Sequence, residues 1–137
     1  MEDKPSHPWR FDTNERYREV VRLIISLSTA SLLLPIFLAR EFLSLPEATA
    51  LKDVFTCAVY WSWGLLAASI LLGIIFHYLS AKWSRLAWGK PARVLGCDVS
   101  EKKVEAMLDA TFWGCVVGFI CGVGAIMIFL RNYVPNS

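Results

Sequence analysis

The stretch VFTCAVYWSWGLLAASILLGIIFHYLSA, residues 54–81, contains no Asp, Glu, Lys or Arg. An α-helix rises about 1.5 Å per residue and the hydrocarbon core of a bilayer is about 30 Å thick, so roughly 20 apolar residues are enough to cross it. The run exceeds that length. It therefore predicts a helix that spans a membrane.

Two further uncharged runs, residues 23–39 and 110–130, lie on either side of the first one. The run 110–130 reaches spanning length by itself. The run 23–39 is shorter, and it spans once Arg22 and Arg40 at its ends extend their long side chains toward the two interfaces. All 14 basic and 12 acidic residues lie outside the three runs, whereas a soluble domain would repeat its apolar residues at helical spacing. The fold class predicted is all-α, a three-span transmembrane helical protein.

The distribution of basic residues predicts how the chain is oriented. Five Lys and Arg residues precede the first run and six separate the second run from the third, but only two separate the first from the second and one follows the third. Because Lys and Arg are enriched on the cytosolic side of membrane proteins, we expect the N-terminus in the cytosol and the C-terminus outside.

We expect a single membrane domain over residues 1–137, with a cytosolic segment at 1–20 and a cytosolic loop at 80–108. The three spans are predicted at about 21–41, 54–79 and 109–131. Patterns typical of helix starts, an acidic residue followed three residues later by Glu, occur at residues 12–15 and 98–101. They predict that the first helix starts near Thr13 and the third near Val99, so both extend into the cytosol before they enter the membrane.

The third apolar run carries a glycine stripe formed by Gly114, Gly118 and Gly122. Glycines four residues apart lie on one face of a helix and let a second backbone approach closely, which matters in lipid because the hydrophobic effect does not drive helices together there. The stripe predicts a close helix contact. Its partner is either another helix of the same chain or a helix of a second subunit.

The first helix carries a polar stripe at three- and four-residue steps, formed by Arg22, Ser26, Thr29, Leu33 and Arg40. In an oligomer, hydroxyl groups and rings of arginine around a shared axis can line a path for ions, so these five residues are the pore-lining candidates. The alternative is local: the hydroxyls bond to carbonyls one turn back, and the arginines face lipid headgroups.

The sequence contains no pattern typical of ion-coupled transport, catalysis or metal binding. The spans contain no charged group of the type that ion-coupled transporters use, and the sequence has no Gly-rich phosphate loop and no Ser/His/Asp arrangement. His7 and His77 are the only histidines, too few for a convincing metal site. We expect no catalytic residue, no metal, no cofactor and no enzymatic activity. The basic loop is too short and too close to lipid to predict direct binding of nucleic acid.

The segments RYREVVRL (residues 16–23) and PIFLARE (residues 35–41), joined by Ser-rich apolar sequence, resemble the opening of small bacterial inner-membrane proteins. Some of these are similar to membrane effectors of phage-defence systems, which open pores when a partner releases them. The resemblance covers about a quarter of the chain. It implies a location in the bacterial inner (cytoplasmic) membrane and control by a cytosolic regulatory protein.

Together these features lead us to expect a homo-oligomeric inner-membrane channel or pore, a gated effector that permeabilises the membrane. Its expected partners are the lipid bilayer, further copies of the chain and a cytosolic regulatory protein. The alternative is a non-conducting membrane anchor or regulatory subunit for a partner protein.

The orientation can be tested by labelling. In a variant whose four native cysteines are replaced, Asn136→Cys should react with a membrane-impermeant maleimide added outside the cell. Ser6→Cys should react only after the membrane is opened, because basic residues hold its segment in the cytosol. The opposite pattern would reverse the predicted orientation.

Overall fold

The computed structural model describes residues 8–41 and 55–133 of the chain. Within these residues the chain forms three long α-helices and a short antiparallel ribbon of two strands. In chain order the elements are α1 (Pro8–Glu41), α2 (Cys57–Ala87), β1 (Arg93–Val94), β2 (Cys97–Asp98) and α3 (Glu101–Tyr133). Each helix is long and apolar enough to cross a membrane, which confirms the prediction of three helices of spanning length and composition.

The helix starts lie near the predicted ones, with one clear difference. α1 begins at Pro8, earlier than the predicted start near residue 13. Proline suits the first turn of a helix because the N–H that it lacks needs no partner there. α3 begins at Glu101, close to the predicted start near residue 99. The first residue of the predicted span 54–79 falls in the segment 42–54, which lies outside the described residues.

Much of the segment 80–108, predicted as a loop, is helical, because α2 continues to Ala87 and α3 begins at Glu101. The end of α2 is closed by two backbone hydrogen bonds: Gly89 donates to the carbonyl of Leu86 at 2.9 Å, and Lys90 donates to that of Arg85 at 3.0 Å. Gly89 has φ +72°, a left-handed conformation that glycine adopts without a steric penalty. This cap stops α2 and turns the chain toward β1.

The ribbon folds back onto one end of the helix bundle. Leu95 and Gly96 join its strands with φ values of +50° and +83°, and two positive φ values are what a tight hairpin turn requires. Val94 is buried in the core, whereas the Leu95 side chain is 90% exposed. We call this end, formed by the start of α1, the end of α2 and the start of α3, the inner end, after the orientation expected from charge.

The helices pack around a core that lies toward the inner end, with α1 and α3 antiparallel to α2. Its buried members are Val21, Ile24, Phe76, Leu79, Trp83, Val94, Val104, Leu108 and Cys115. Large apolar side chains on the outward faces remain exposed, among them Leu71, Trp113 and Ile120. Outward apolar faces of this kind suit contact with lipid.

Hydrogen bonds from side chains to carbonyls tie the helices together within the apolar region. Ser62 of α2 donates to the carbonyl of Gly122 at 2.9 Å, and Ser69 donates to that of Cys115 at 2.7 Å. Both serines are fully buried. Such bonds between helices contribute about 0.6 kcal/mol each on average in a membrane.

The glycine stripe faces α2 of the same chain. A Cβ atom at Gly118 would lie 3.3 Å from the Leu65 carbonyl oxygen, and one at Gly122 would lie 2.8 Å from the Leu66 Cγ atom. At Gly114 the nearest atom is Leu72 Cδ1, also at 2.8 Å. Of the two partners that the sequence left open, the structure brings a helix of the same chain into contact with these glycines.

The α2–α3 contact predicts the effect of Gly118→Leu. A leucine there must push against the α2 backbone at Leu65, and overpacking of this kind costs about 1–3 kcal/mol of stability. Gly124→Leu is the matched control, because nothing lies within 4 Å of a Cβ at Gly124 on the same helix. Helix content should be followed during thermal unfolding in detergent. Equal midpoints for the two variants would contradict the contact.

Candidate functional site

The polar stripe lies on the surface of α1. Arg22, Ser26, Thr29, Leu33 and Arg40 are all exposed. The buried side of α1 is marked by Val21, Ile24, Ser28 and Pro35. At about 100° per residue the centres of these two sets are about 140° apart around the helix. The stripe therefore faces away from α2 and α3 of the same chain.

The two hydroxyl groups of the stripe differ in their hydrogen bonding. Thr29 Oγ1 donates to the carbonyl of Ile25 at 2.8 Å, which is the local bond of the alternative interpretation. Ser26 makes no side-chain hydrogen bond with any residue that the structure describes. One hydroxyl is thus satisfied within α1, and the other is open to water, to lipid or to a second chain.

The charges at the inner end of α1 are partly paired. Arg16 lies 3.3 Å from Asp12 and Arg18 lies 3.2 Å from Glu15, both as exposed pairs within one helix. Exposed pairs of this kind add little stability, about 0–1 kcal/mol. Arg22 makes no ion pair within the described parts of the chain, and the same is true of Arg40. Neither charge of the stripe is therefore neutralised by an acidic side chain of the described residues.

α1 is held to the bundle at two levels and keeps most of its apolar surface exposed. Trp63 Nε1 of α2 donates to the carbonyl of Leu32 at 2.9 Å, and Asn14 Nδ2 donates to Ser80 Oγ at 2.8 Å. In the most apolar 18-residue stretch of each helix, the buried share is 17% for α1, 33% for α2 and 28% for α3. α1 therefore has the largest share of apolar surface left for contacts outside the chain.

A cleft of about 290 Å³ opens between α1 and α3 at the inner end, over a floor made by α2. Five aromatic residues line it: Trp9, Tyr17, Phe76, Trp83 and Phe112. The floor residues Phe76 and Trp83 are almost completely buried. Because the lining residues come from three segments that are far apart in sequence, no spacing within the sequence predicts the cleft. We call it the inner cleft.

A charged network forms one side of the inner cleft. Glu105 accepts a hydrogen bond from Arg10 at 3.2 Å and one from Trp83 Nε1 at 3.3 Å. Arg10 also lies 3.6 Å from Glu101. These contacts join the starts of α1 and α3 to the end of α2.

The glycine stripe takes part in helix packing within the chain, as described above, and it does not line the inner cleft. Among the described residues, no group of three or more His, Cys, Asp or Glu side chains lies close enough together to hold a metal ion. Side chains that are exposed to contact with other molecules include those of the polar stripe and of the inner cleft.

Comparison of the chain with protein families, with curated proteins and with solved structures finds no match.

The orientation of α1 predicts that leucine substitutions at two of its serines differ in their effect on stability. Ser28 is fully buried, so Ser28→Leu should overpack the bundle and cost about 1–3 kcal/mol of stability. Ser26 is exposed, so Ser26→Leu should change stability by no more than about 0.5 kcal/mol. Thermal unfolding of both variants in detergent micelles would show the difference. A larger loss for Ser26→Leu would mean that α1 presents the polar stripe to the bundle.

Proposed function

We propose that the protein assembles into a homo-oligomeric channel or pore of the membrane, with the polar stripe of α1 facing the shared axis. The observation that carries this proposal is the position of the stripe, exposed on the side of α1 that faces away from α2 and α3. The fold of one chain does not cover this face. Copies of α1 around an axis would cover it and would bring its hydroxyls and arginines together.

The close packing of α2 against α3 argues against an ion-conducting path through a single chain. Gly118 and Gly122 bring the backbone of α3 against α2, and the hydrogen bonds of Ser62 and Ser69 cross the same contact. The space between these helices is filled. A conducting path therefore has to form between subunits, and α1 has the exposed surface to form it.

The order of residues along the stripe suggests how such a pore would work. Leu33 is 53% exposed and is the apolar member between Thr29 and Arg40. A ring of leucines can close a narrow pore by excluding water from it. Rings of Arg22 and Arg40 would favour anions over small cations, an effect that the exposed Glu15 and Glu19 would reduce at the inner end.

The resemblance of residues 16–41 to bacterial effectors suggests a cellular location and role for the protein. We place the protein in the bacterial inner membrane, with its N-terminus and the inner end in the cytosol, as a gated effector that a cytosolic regulatory protein releases in phage defence. The support is the excess of Lys and Arg before the first run and between the second and third. With that orientation, the first turns of α1 and α3 would extend into the cytosol, where such a protein can reach them.

A non-conducting anchor is the second candidate, and one observation favours it. Thr29 already satisfies its hydroxyl at the carbonyl of Ile25, so this position needs neither water nor a second chain. In that case the stripe would face lipid and the arginines would contact headgroups. Conduction separates the two candidates.

Planar-bilayer recordings of purified protein test the pore. Leu33→Ser should increase the leak several-fold, because a hydroxyl ring no longer excludes water from the constriction. Leu27→Ser is the matched control, since Leu27 is also 53% exposed but lies about 120° away around α1. Arg40→Glu should shift the reversal potential in a salt gradient toward cation selectivity.

The recordings must be accompanied by evidence that the protein is inserted in the bilayer and by its oligomeric state. Cross-linking in nanodiscs gives the number of subunits, and a pure monomer would remove the pore. Equal leaks for Leu33→Ser and Leu27→Ser would also count against a path along the stripe. Silent recordings from inserted oligomers of wild type and of both stripe variants would favour the anchor.

A further inference from the structure

We propose that the inner cleft binds an organic ammonium ion, a positively charged amine attached to an apolar body. The cleft is separate from the polar stripe, so this proposal stands whether or not the protein conducts. It rests on three properties of the cleft: its aromatic lining, a carboxylate that no described residue pairs with, and its volume.

Aromatic residues that contact one another form part of the lining. Phe112 of α3 contacts Tyr17 of α1 edge to face, with ring centroids 4.9 Å apart, and its ring lies 6.0 Å from that of Phe76. The faces of aromatic rings attract cations within about 6 Å of the centroid. Within the cleft, the guanidinium carbon of Arg10 already lies 5.5 Å from the centre of the Trp9 ring. A second cation would meet the same kind of surface on Tyr17 and Phe112.

The charges of the lining favour a cation over an anion. The charged lining residues are Arg10, Glu105 and Asp109, so acids exceed bases by one. Glu105 is occupied by Arg10 and by Trp83 Nε1. Asp109 makes no hydrogen bond or ion pair with any residue that the structure describes. It therefore remains as the counter-ion for a positively charged ligand.

The volume limits the size of the ligand. About 290 Å³ corresponds to the lower end of the range of about 300–1,000 Å³ that is typical of small-molecule sites. The cleft would hold one ammonium group together with a ring or a short apolar segment. It is too small for a peptide helix about 10 Å wide.

The position of the cleft allows two sources for this ligand. Asp109 is the last charged residue before the apolar run 110–130, so the cleft lies at the predicted inner edge of the third span. A lipid with an ammonium headgroup would reach it from the bilayer, and a soluble amine would reach it from the cytosol. Both carry the same recognised chemistry.

Binding of benzyltrimethylammonium to the full-length protein in dodecyl maltoside micelles tests the proposal. The detergent carries neither charge nor amine, and isothermal titration calorimetry gives the affinity. Asp109→Asn should weaken binding about fivefold, because an exposed charge pair contributes about 1 kcal/mol at most. Tyr17→Leu should weaken it by a similar factor through loss of a ring face.

Matched controls keep the result specific. Asp12→Asn removes a carboxylate that is paired with Arg16 outside the cleft, and Tyr60→Leu removes an exposed ring near the start of α2. Neither should change the affinity. Circular dichroism of each variant shows that the helices are retained.

Two results would overturn the proposal: equal affinity of wild type and Asp109→Asn, or equally tight binding of the anion phenylmethanesulfonate. Adding lipid to the micelles shows whether the natural ligand is a lipid headgroup or a soluble amine. Competition by phosphatidylethanolamine but not by phosphatidylglycerol would indicate a lipid headgroup. Binding that neither lipid affects would indicate a soluble amine.

Discussion

The α3 backbone lies directly against α2, because Gly118 and Gly122 have no side chains at the point where the helices meet. In lipid the hydrophobic effect does not bring helices together, so close packing and hydrogen bonds between helices must do so. The short distance lets Ser62 and Ser69 of α2 reach carbonyls of α3. The same α2 then presents Trp63 to α1 from its other side. The glycine contact thus sets the distance between α2 and α3, and α2 in turn holds α1 through Trp63.

The consequence for α1 is a helix with only one buried side. Val21, Ile24 and Ser28 face the bundle, whereas the polar stripe is left on the outside. A polar face exposed at membrane depth is costly unless water, headgroups or another chain satisfies it. Water, headgroups or another chain must therefore lie against the stripe. The pore and anchor interpretations differ only in what covers the same surface.

The inner end is held together by other interactions, because charged side chains and aromatic rings pack there. Arg10 and Glu105 join α1 to α3, and Phe11 lies 5.2 Å from Trp83 between ring centroids. The cap at Gly89 and the ribbon then cover the end of α2. These contacts form one side and the floor of the inner cleft. Asp109 is exposed at the edge of this cleft.

The sequence by itself determined the class of protein, because hydrocarbon forces a long uncharged run such as 54–81 into a helix that satisfies its own backbone. It also determined that Gly118 would lie in a close contact and that Ser26 and Leu33 would share a face, since both follow from helical periodicity. Only the tertiary structure decided which helix Gly118 meets and which way the polar stripe faces. The inner cleft likewise required the fold, because Tyr17 and Phe112 become neighbours only through packing between helices, and local spacing carries no information about such contacts.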